Sequence, residues 1–340
     1  MFRRLCALLV AAGLGGCAAG TLQSSPSIPA ASAISEGASP AVPRVKFFAI
    51  PPQSWPEYIT NGPDGNLWFT EFYTGQIARI TPAGAVTEFS LPSGDDVEAL
   101  VTGPDKNIWF TEPGAMKIGR MTVSGTVTDF PLKNANPSPR GIANGPDGNL
   151  YFADYYSGDL GRIAPSGSIR TFPIQRNSSP WEVAAGADGN IWVTDSGTGQ
   201  LSRFDPRTQK FLTPLQLKAS ANPWGIVQGP DRHIWFTERH DGKIAVVGSN
   251  GKVTEFAIPN CNLCYPDDLA AGPDGNFYFT ESLAGAIGRF NPKTGKFLAP
   301  IQLTAQDVPT SIVAGPDGNM WFTNPSDNGP NNRIGVVLLH

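Results

Sequence analysis

The sequence predicts an all-β fold, a seven-bladed β-propeller of four-stranded blades closed by an N-terminal strand that pairs with the last blade, and three observations carry that prediction. A Gly-Pro-Asp-Gly-Asn turn at Gly62 recurs, with small changes, from Gly103, Gly145, Gly186, Gly229, Gly272 and Gly315, at spacings of 41, 42, 41, 43, 43 and 43 residues. Each copy leads into an aromatic strand, from Leu67-Trp68-Phe69-Thr70-Glu71 to Met320-Trp321-Phe322-Thr323-Asn324. With 38 Gly and 32 Pro among 340 residues, few windows remain for a long helix. Short strands joined by turns at this period are the signature of propeller blades.

Each element has a local reason. Pro at the second turn position sets φ, and Asp and Gly tolerate the remaining geometry. The aromatic strand follows, then a third strand such as Ile77-Ala78-Arg79-Ile80, a turn at Ala83-Gly84 and a fourth strand, Val86-Thr87-Glu88-Phe89. One blade cannot bury both of its faces, whereas a closed ring packs every blade on two neighbours. The last repeat ends at His340 without an outer strand, and Val45-Lys46-Phe47-Phe48-Ala49-Ile50-Pro51 closely matches Val253-Thr254-Glu255-Phe256-Ala257-Ile258-Pro259. The early segment is therefore expected to clasp the ring, making residues 45–340 one domain. A domain of that length buries about 75% of the surface its unfolded chain exposes, so stability needs no metal or disulfide staple.

The N-terminus reads as an export signal. Arg3 and Arg4 precede an apolar run over 5–14 that is too short to span a bilayer. Leu14-Gly15-Gly16-Cys17 resembles the lipobox of bacterial lipoproteins, which implies a signal peptide over 1–17 and lipidation of Cys17. Ala18 rather than Asp after that Cys favours the outer membrane, by resemblance to Gram-negative sorting. Residues 18–44, rich in Ala, Ser and Pro, read as a flexible tether. The expected location is the bacterial cell envelope, lipid-anchored, facing the periplasm or on the outer membrane.

Charge and cysteine use agree with this. Lys plus Arg number 25 against 29 Asp plus Glu, a net charge of -4, which excludes a basic nucleic-acid binder. Cys6 leaves with the signal, and Cys261 and Cys264 remain as an even pair. A lone Cys-x-x-Cys is a weak zinc signal, and in an exported protein a small loop-closing disulfide is the better reading.

Seven copies in one chain separate scaffold from site. Trp68, Trp109, Trp192, Trp235 and Trp321 share one strand position with Tyr151 and Tyr278, which marks inter-blade packing. Glu71, Glu112, Asp154, Asp195, Glu238 and Glu281 end that strand and read as a shared hydrogen-bonding role at the blade edge. The Asp-Gly-Asn turns lack the ligand spacing of calcium loops. The first strand, which lines the channel, opens on a Pro-x-x-aliphatic pattern whose first x reads Glu57, Glu98, Arg140, Trp181, Trp224, Asp267 and Thr310. Ring order places Asp267, Thr310, Glu57 and Glu98 on one side of the channel mouth and Arg140, Trp181 and Trp224 on the other, an acidic half facing an aromatic one.

Trp55, Tyr58, Tyr73, Tyr155, Tyr156 and Tyr265 gather on the same face, which suits a ligand with apolar rings or sugar faces. A long polar loop over 324–334 and an insertion over 260–265 lie beside the acidic half. Of the three His, His233 is in a turn on the far face, His340 is terminal, and His240 could reach the mouth, although a solvated loop His is the better reading. The catalytic candidates are Asp267, Glu57, Glu98 and His240. No nucleophile elbow, phosphate loop or zinc-helix motif occurs.

The repeat Gly-Pro-Asp-Gly-Asn-Leu-Trp-Phe-Thr-Glu, with Ile118-Gly119-Arg120, Ile287-Gly288-Arg289 and Val-Thr-Glu-Phe, resembles the virginiamycin B lyase, or streptogramin lyase, family over residues 45–340. The resemblance implies a seven-bladed propeller and, for true members, a magnesium-assisted elimination that opens a cyclic depsipeptide at its ester C–O bond. In it a His removes the proton beside the ester carbonyl while carboxylates hold the metal. The family's His after the Pro of the sixth blade corresponds to Asp267 here, and its Glu-Pro-His of the last blade to Val308-Pro309-Thr310. Its final carboxylate corresponds to Asn324-Pro325.

The expected function is therefore binding of an amphipathic small molecule or glycan at the mouth by a monomer that touches the membrane only through its lipid. The alternatives are a divalent-metal-dependent C–O lyase or hydrolase, with Asp267, Glu57 and Glu98 holding Mg2+ or Ca2+ or supplying the base, and an envelope protein-interaction scaffold.

Overall fold

A computed structural model describes residues 42–94, 96–218, 220–325 and 332–340. The expected signal peptide, Cys17, tether residues 18–41 and loop residues 326–331 lie outside the described residues. The described chain forms one compact unit from Val42 to His340. Its strands make seven antiparallel sheets in sequence order, each built outward from the channel. The first sheet, for example, takes Pro56–Asn61, Leu67–Glu71, Gln76–Ile80 and Val86–Ser90. The fourth blade's outer edge is split into Lys210–Phe211 and Leu215–Gln216, with Pro214, which has no N–H to donate, just before the second piece.

The ring closes by strand exchange between the chain ends. Arg44–Ala49 runs antiparallel to Arg333–Leu338, with Arg44 opposite Leu338 and Ala49 opposite Arg333. Phe48 stacks on Trp321 at 5.4 Å between centroids, so the clasp buries aromatic surface as well as completing a ladder.

The repeated turn does two jobs. Asp64 accepts hydrogen bonds from the Asn66 N–H (3.2 Å) and from the Trp68 indole N–H (3.1 Å). The same tie recurs from Trp109 to Asp105 at 2.8 Å and from Trp321 to Asp317 at 2.9 Å, and the hydroxyls of Tyr151 and Tyr278 take the role in their blades. A Cβ on Gly62 would sit 2.2 Å from the Trp68 ring, so the turn must open on Gly. Held this way, Trp68 packs on Val97, Leu100 and Phe110 of the next blade. The column of strand-ending acids is buried, but the expected hydrogen bonding is not shared by all of it. Asp154 accepts from the Ser138 N–H at 2.7 Å and Glu112 from the Ser93 hydroxyl at 2.5 Å, whereas Glu238 has Lys243 at 3.5 Å and no hydrogen bond among the described residues.

Candidate functional site at the channel mouth

In five blades the inner strand carries a bulge at its start. Pro56 pairs with Glu71, but the next pair is Ile59 with Phe69, so Glu57 and Tyr58 together oppose Thr70. The same shift occurs after Pro139, Pro180, Pro223 and Pro266. A bulge frees two consecutive residues from the alternation of an ordinary strand. Each of these blades thus supplies two adjacent residues to the axis, in an upper tier at the mouth and a lower tier one residue further down.

A threonine opposite the bulge sets their height. The Thr70 hydroxyl accepts from the Tyr58 N–H at 3.0 Å and donates to the Glu98 carbonyl of the next blade at 2.7 Å. Thr194, Thr237, Thr280 and Thr323 repeat the donation to Trp224, Asp267, Thr310 and Glu57. The third blade has Ala153 at this place. Sequence reasoning passed over this column, although Thr in six of seven copies was the available signal.

The upper tier is the predicted ring, but its halves are not separate. Arg140 pairs with Glu98 at 2.5 Å. Arg239, which sequence reasoning missed, pairs with Asp267 at 2.5 Å. Between these pairs the Trp181 and Trp224 rings stack with centroids 3.7 Å apart. Arg140 lies over Trp181 at 5.1 Å and Arg239 over Trp224 at 4.3 Å. The result is a continuous row, Glu98, Arg140, Trp181, Trp224, Arg239, Asp267, in which each cation is held by an acid and an indole. Arg239 occupies the same position as Tyr155, just after the strand-ending acid, and variation in that column was the signal for it.

Two predicted residues, Thr310 and Tyr58, behave differently from expectation. The Thr310 hydroxyl is spent on the Glu57 carbonyl (2.9 Å) and on Thr323 (2.9 Å), so it serves closure and not a ligand. Tyr58 is not a rim aromatic. Its hydroxyl crosses the channel to donate to Glu182 at 3.0 Å, because its bulge position belongs to the lower tier. His240 is exposed and meets only the Tyr265 ring, at 5.6 Å, among the ring contacts described. Trp55 does reach the mouth, where its indole N–H donates to Glu57 at 2.8 Å.

The lower tier closes the hole. Tyr58 and Glu182 span it, and Asp268 accepts from the Ser311 hydroxyl at 2.8 Å and the Ile312 N–H at 3.0 Å. The mouth is therefore a cup with an acidic floor. Gly141 makes room for that floor, since a Cβ there would meet the Glu182 carboxylate at 2.1 Å. The sequence signal was the second x of the inner-strand pattern, where Glu182 and Asp268 alternate with Gly141 and Gly225.

Burial dominates the charge state of these acids. Desolvation, then the nearby Glu98 charge, pushes Glu57 up to about 8, against the lowering effect of the Trp55 hydrogen bond. Burial and the Asp268 charge push Glu182 up to about 8, and burial raises Asp268 to about 6. At neutral pH Glu182 is thus largely a protonated carboxyl, while Asp268, at about 6, is largely ionised. The magnesium that the family resemblance implies finds no cradle here. Among the described residues no three Asp, Glu, His or Cys groups converge, and Glu57, Glu98 and Asp267 are turned to Trp55, Arg140 and Arg239.

Fold and cup together define a propeller of the lyase-like class whose mouth is lined by indoles, guanidiniums and buried acids. The virginiamycin B lyase family model matches residues 40–216 and 206–337, and the chain belongs to that family. Among solved structures it is similar to a catalytically inactive histidine-to-alanine form of virginiamycin B lyase from Staphylococcus aureus with quinupristin, with a TM-score of 0.80 and 29% identity over 87% of this chain and 99% of that one. A streptogramin B lyase structure gives a TM-score of 0.80 and 30% identity over 87% of this chain and 98% of that one. Hydrazine synthase from Kuenenia stuttgartiensis, at 16% identity and a TM-score of 0.73 over 85% of this chain and 97% of that one, shares the fold alone. A comparison with curated protein sequences finds no match.

Proposed function

We propose that this chain is an exported binding protein, lipid-anchored in the cell envelope through Cys17, that takes an amphipathic small molecule with aromatic rings at the cup. It works as a monomer, without nucleic acid, and does not run the family's elimination. The observation that carries this reading is the row Arg140, Trp181, Trp224, Arg239. Stacked indoles flanked by guanidiniums offer ring edges and cationic donors, not the free indole face on which a sugar ring would lie, which favours an aromatic ligand over a glycan. The Trp181 indole N–H is buried without an acceptor among the described residues, so the ligand is expected to bring one.

Two features weigh against elimination. The position of the family's His is held by Asp267, which Arg239 engages. Glu57 is already engaged by the Trp55 indole N–H at 2.8 Å, and its carboxyl, pushed up to about 8, is mostly protonated at neutral pH. The test is to titrate the mature protein with quinupristin, the macrocycle of the Staphylococcus structure, and with maltohexaose as a glycan probe, reading tryptophan fluorescence. Saturable quenching by the macrocycle alone, abolished in Trp224→Ala, with only intact macrocycle by mass, is the expected result. A ring-opened product would establish the lyase instead, and a response to maltohexaose alone would establish the glycan reading. The anchor is tested separately: palmitate labelling in cells should vanish in Cys17→Ala.

A further inference from the structure

We infer that the loop closed by Cys261 and Cys264 is a specificity finger: Leu263 supplies an apolar outer subsite for the ligand, and Tyr265 positions Arg239 at the mouth. This rests on the binding role proposed above and extends it beyond the cup.

The two sulfurs are bonded, closing a loop of four residues. Cys264 is buried in the core shared with Ile258, Leu269 and Phe279, so the base of the finger is fixed. Its approach to the fifth blade is close. A Cβ on Gly242, whose φ is +61°, would lie 2.3 Å from the Cys261 sulfur, so only Gly lets the loop that carries Arg239 meet the disulfide. From this base the chain presents Leu263 at 65% exposure, and Leu283, whose N–H donates to the Cys264 carbonyl, is also exposed. Leu263 has φ +64° and Tyr265 φ +50°, conformations that cost an L-residue about 1–2 kcal/mol and persist only where surrounding bonds impose them. Those bonds are present: the Cys264 and Tyr265 carbonyls accept from the Leu283 and Ser282 N–H groups, each at 3.2 Å.

The strain has a visible product. Tyr265 stands immediately before a proline, where the left-handed region is disfavoured, and Trp55 occupies the matching place in the first blade with φ +53°. Each aromatic is thereby aimed at the upper tier: Trp55 at Glu57, and Tyr265 at Arg239, whose guanidinium lies 5.0 Å from its ring. Arg239 is the cation that covers Trp224 and holds Asp267. Among the described residues, five of the seven exposed large apolar side chains, Tyr73, Met116, Tyr156, Leu263 and Leu283, lie in loops of this face, so the outer subsite continues the mouth. The part of the ligand that reaches it is an alkyl or aryl group, since an exposed Leu rewards burial and little else.

Quinupristin titrations of the mature protein test both halves. Leu263→Ser should leave the melting temperature unchanged and weaken binding about tenfold, the loss expected for one buried Leu side chain. Cys261→Ala with Cys264→Ala should weaken binding at least as much. Wild-type affinity in both variants would overturn the subsite. If the wild type itself binds nothing, the binding role has failed instead, and the positioning half is still decided without ligand. Tyr265→Leu should change tryptophan emission in the wild-type background and not in Trp224→Phe, and equal changes in the two backgrounds would overturn it.

Discussion

The Thr323 hydroxyl and the Glu57 carbonyl lie 2.9 Å apart across 266 residues of sequence, so one hydrogen bond joins the last blade to the first and fixes the height of a mouth residue. The same hydroxyl accepts from the Ser311 N–H at 2.9 Å. Both partners depend on a group that is completely buried. Closure and site geometry are thus the same interaction seen from two sides.

Thr323→Val keeps the shape and removes both bonds. The Glu57 carbonyl keeps the Thr310 hydroxyl, but the Ser311 N–H is left buried and unsatisfied, which costs about 1–3 kcal/mol, so the melting temperature should fall by several degrees. Calorimetry checks it, and an unchanged transition would remove the staple role of the threonine column.

Two glycines of the lower tier should respond differently to Ala. At Gly225 the new Cβ meets the Asp267 carbonyl at 2.4 Å, which is backbone of the next blade and cannot yield, so about 1–3 kcal/mol of stability should be lost. At Gly141 the obstacle is the end of the flexible Glu182 side chain, at 2.1 Å. Gly141→Ala should melt closer to wild type and break the Tyr58 to Glu182 bond, visible as a shift in tyrosine absorbance.

Glu57 and Glu182 hold protons in the fold that the unfolded chain, with a value of 4.5, would release. A raised carboxyl contributes stability that is complete below about 4.5 and lost as pH rises through about 8. The melting temperature should therefore fall between about pH 5 and about pH 9. Glu57→Gln, which keeps an acceptor for Trp55, should flatten that fall, and a variant with the wild-type slope would show that Glu57 is ionised in the native state.

Magnesium or calcium should leave the melting temperature unchanged, because the acids at the mouth are already engaged by Arg140, Arg239 and Trp55. A ligand at a hundredfold excess over its Kd stabilises by about 2.7 kcal/mol, a shift calorimetry resolves. A rise that disappears in Asp267→Ala would restore the metal-dependent reading.

Blade number, turn chemistry and the closing strand could all be read from residue order, because each rests on contacts within one repeat or on identity between repeats. Pro63, Asp64 and Trp68 are near neighbours, and the likeness of residues 45–51 to 253–259 needs no coordinates. The upper tier was legible for a related reason: a column that varies while its scaffold repeats stands out. The pairing of Arg239 with Asp267, the reach of Tyr58 to Glu182 and the commitment of Thr310 to closure were decided only in three dimensions. These contacts join different blades, and which of two adjacent bulge residues faces the mouth depends on how tightly seven blades converge on the axis, a property of the ring that no single repeat contains.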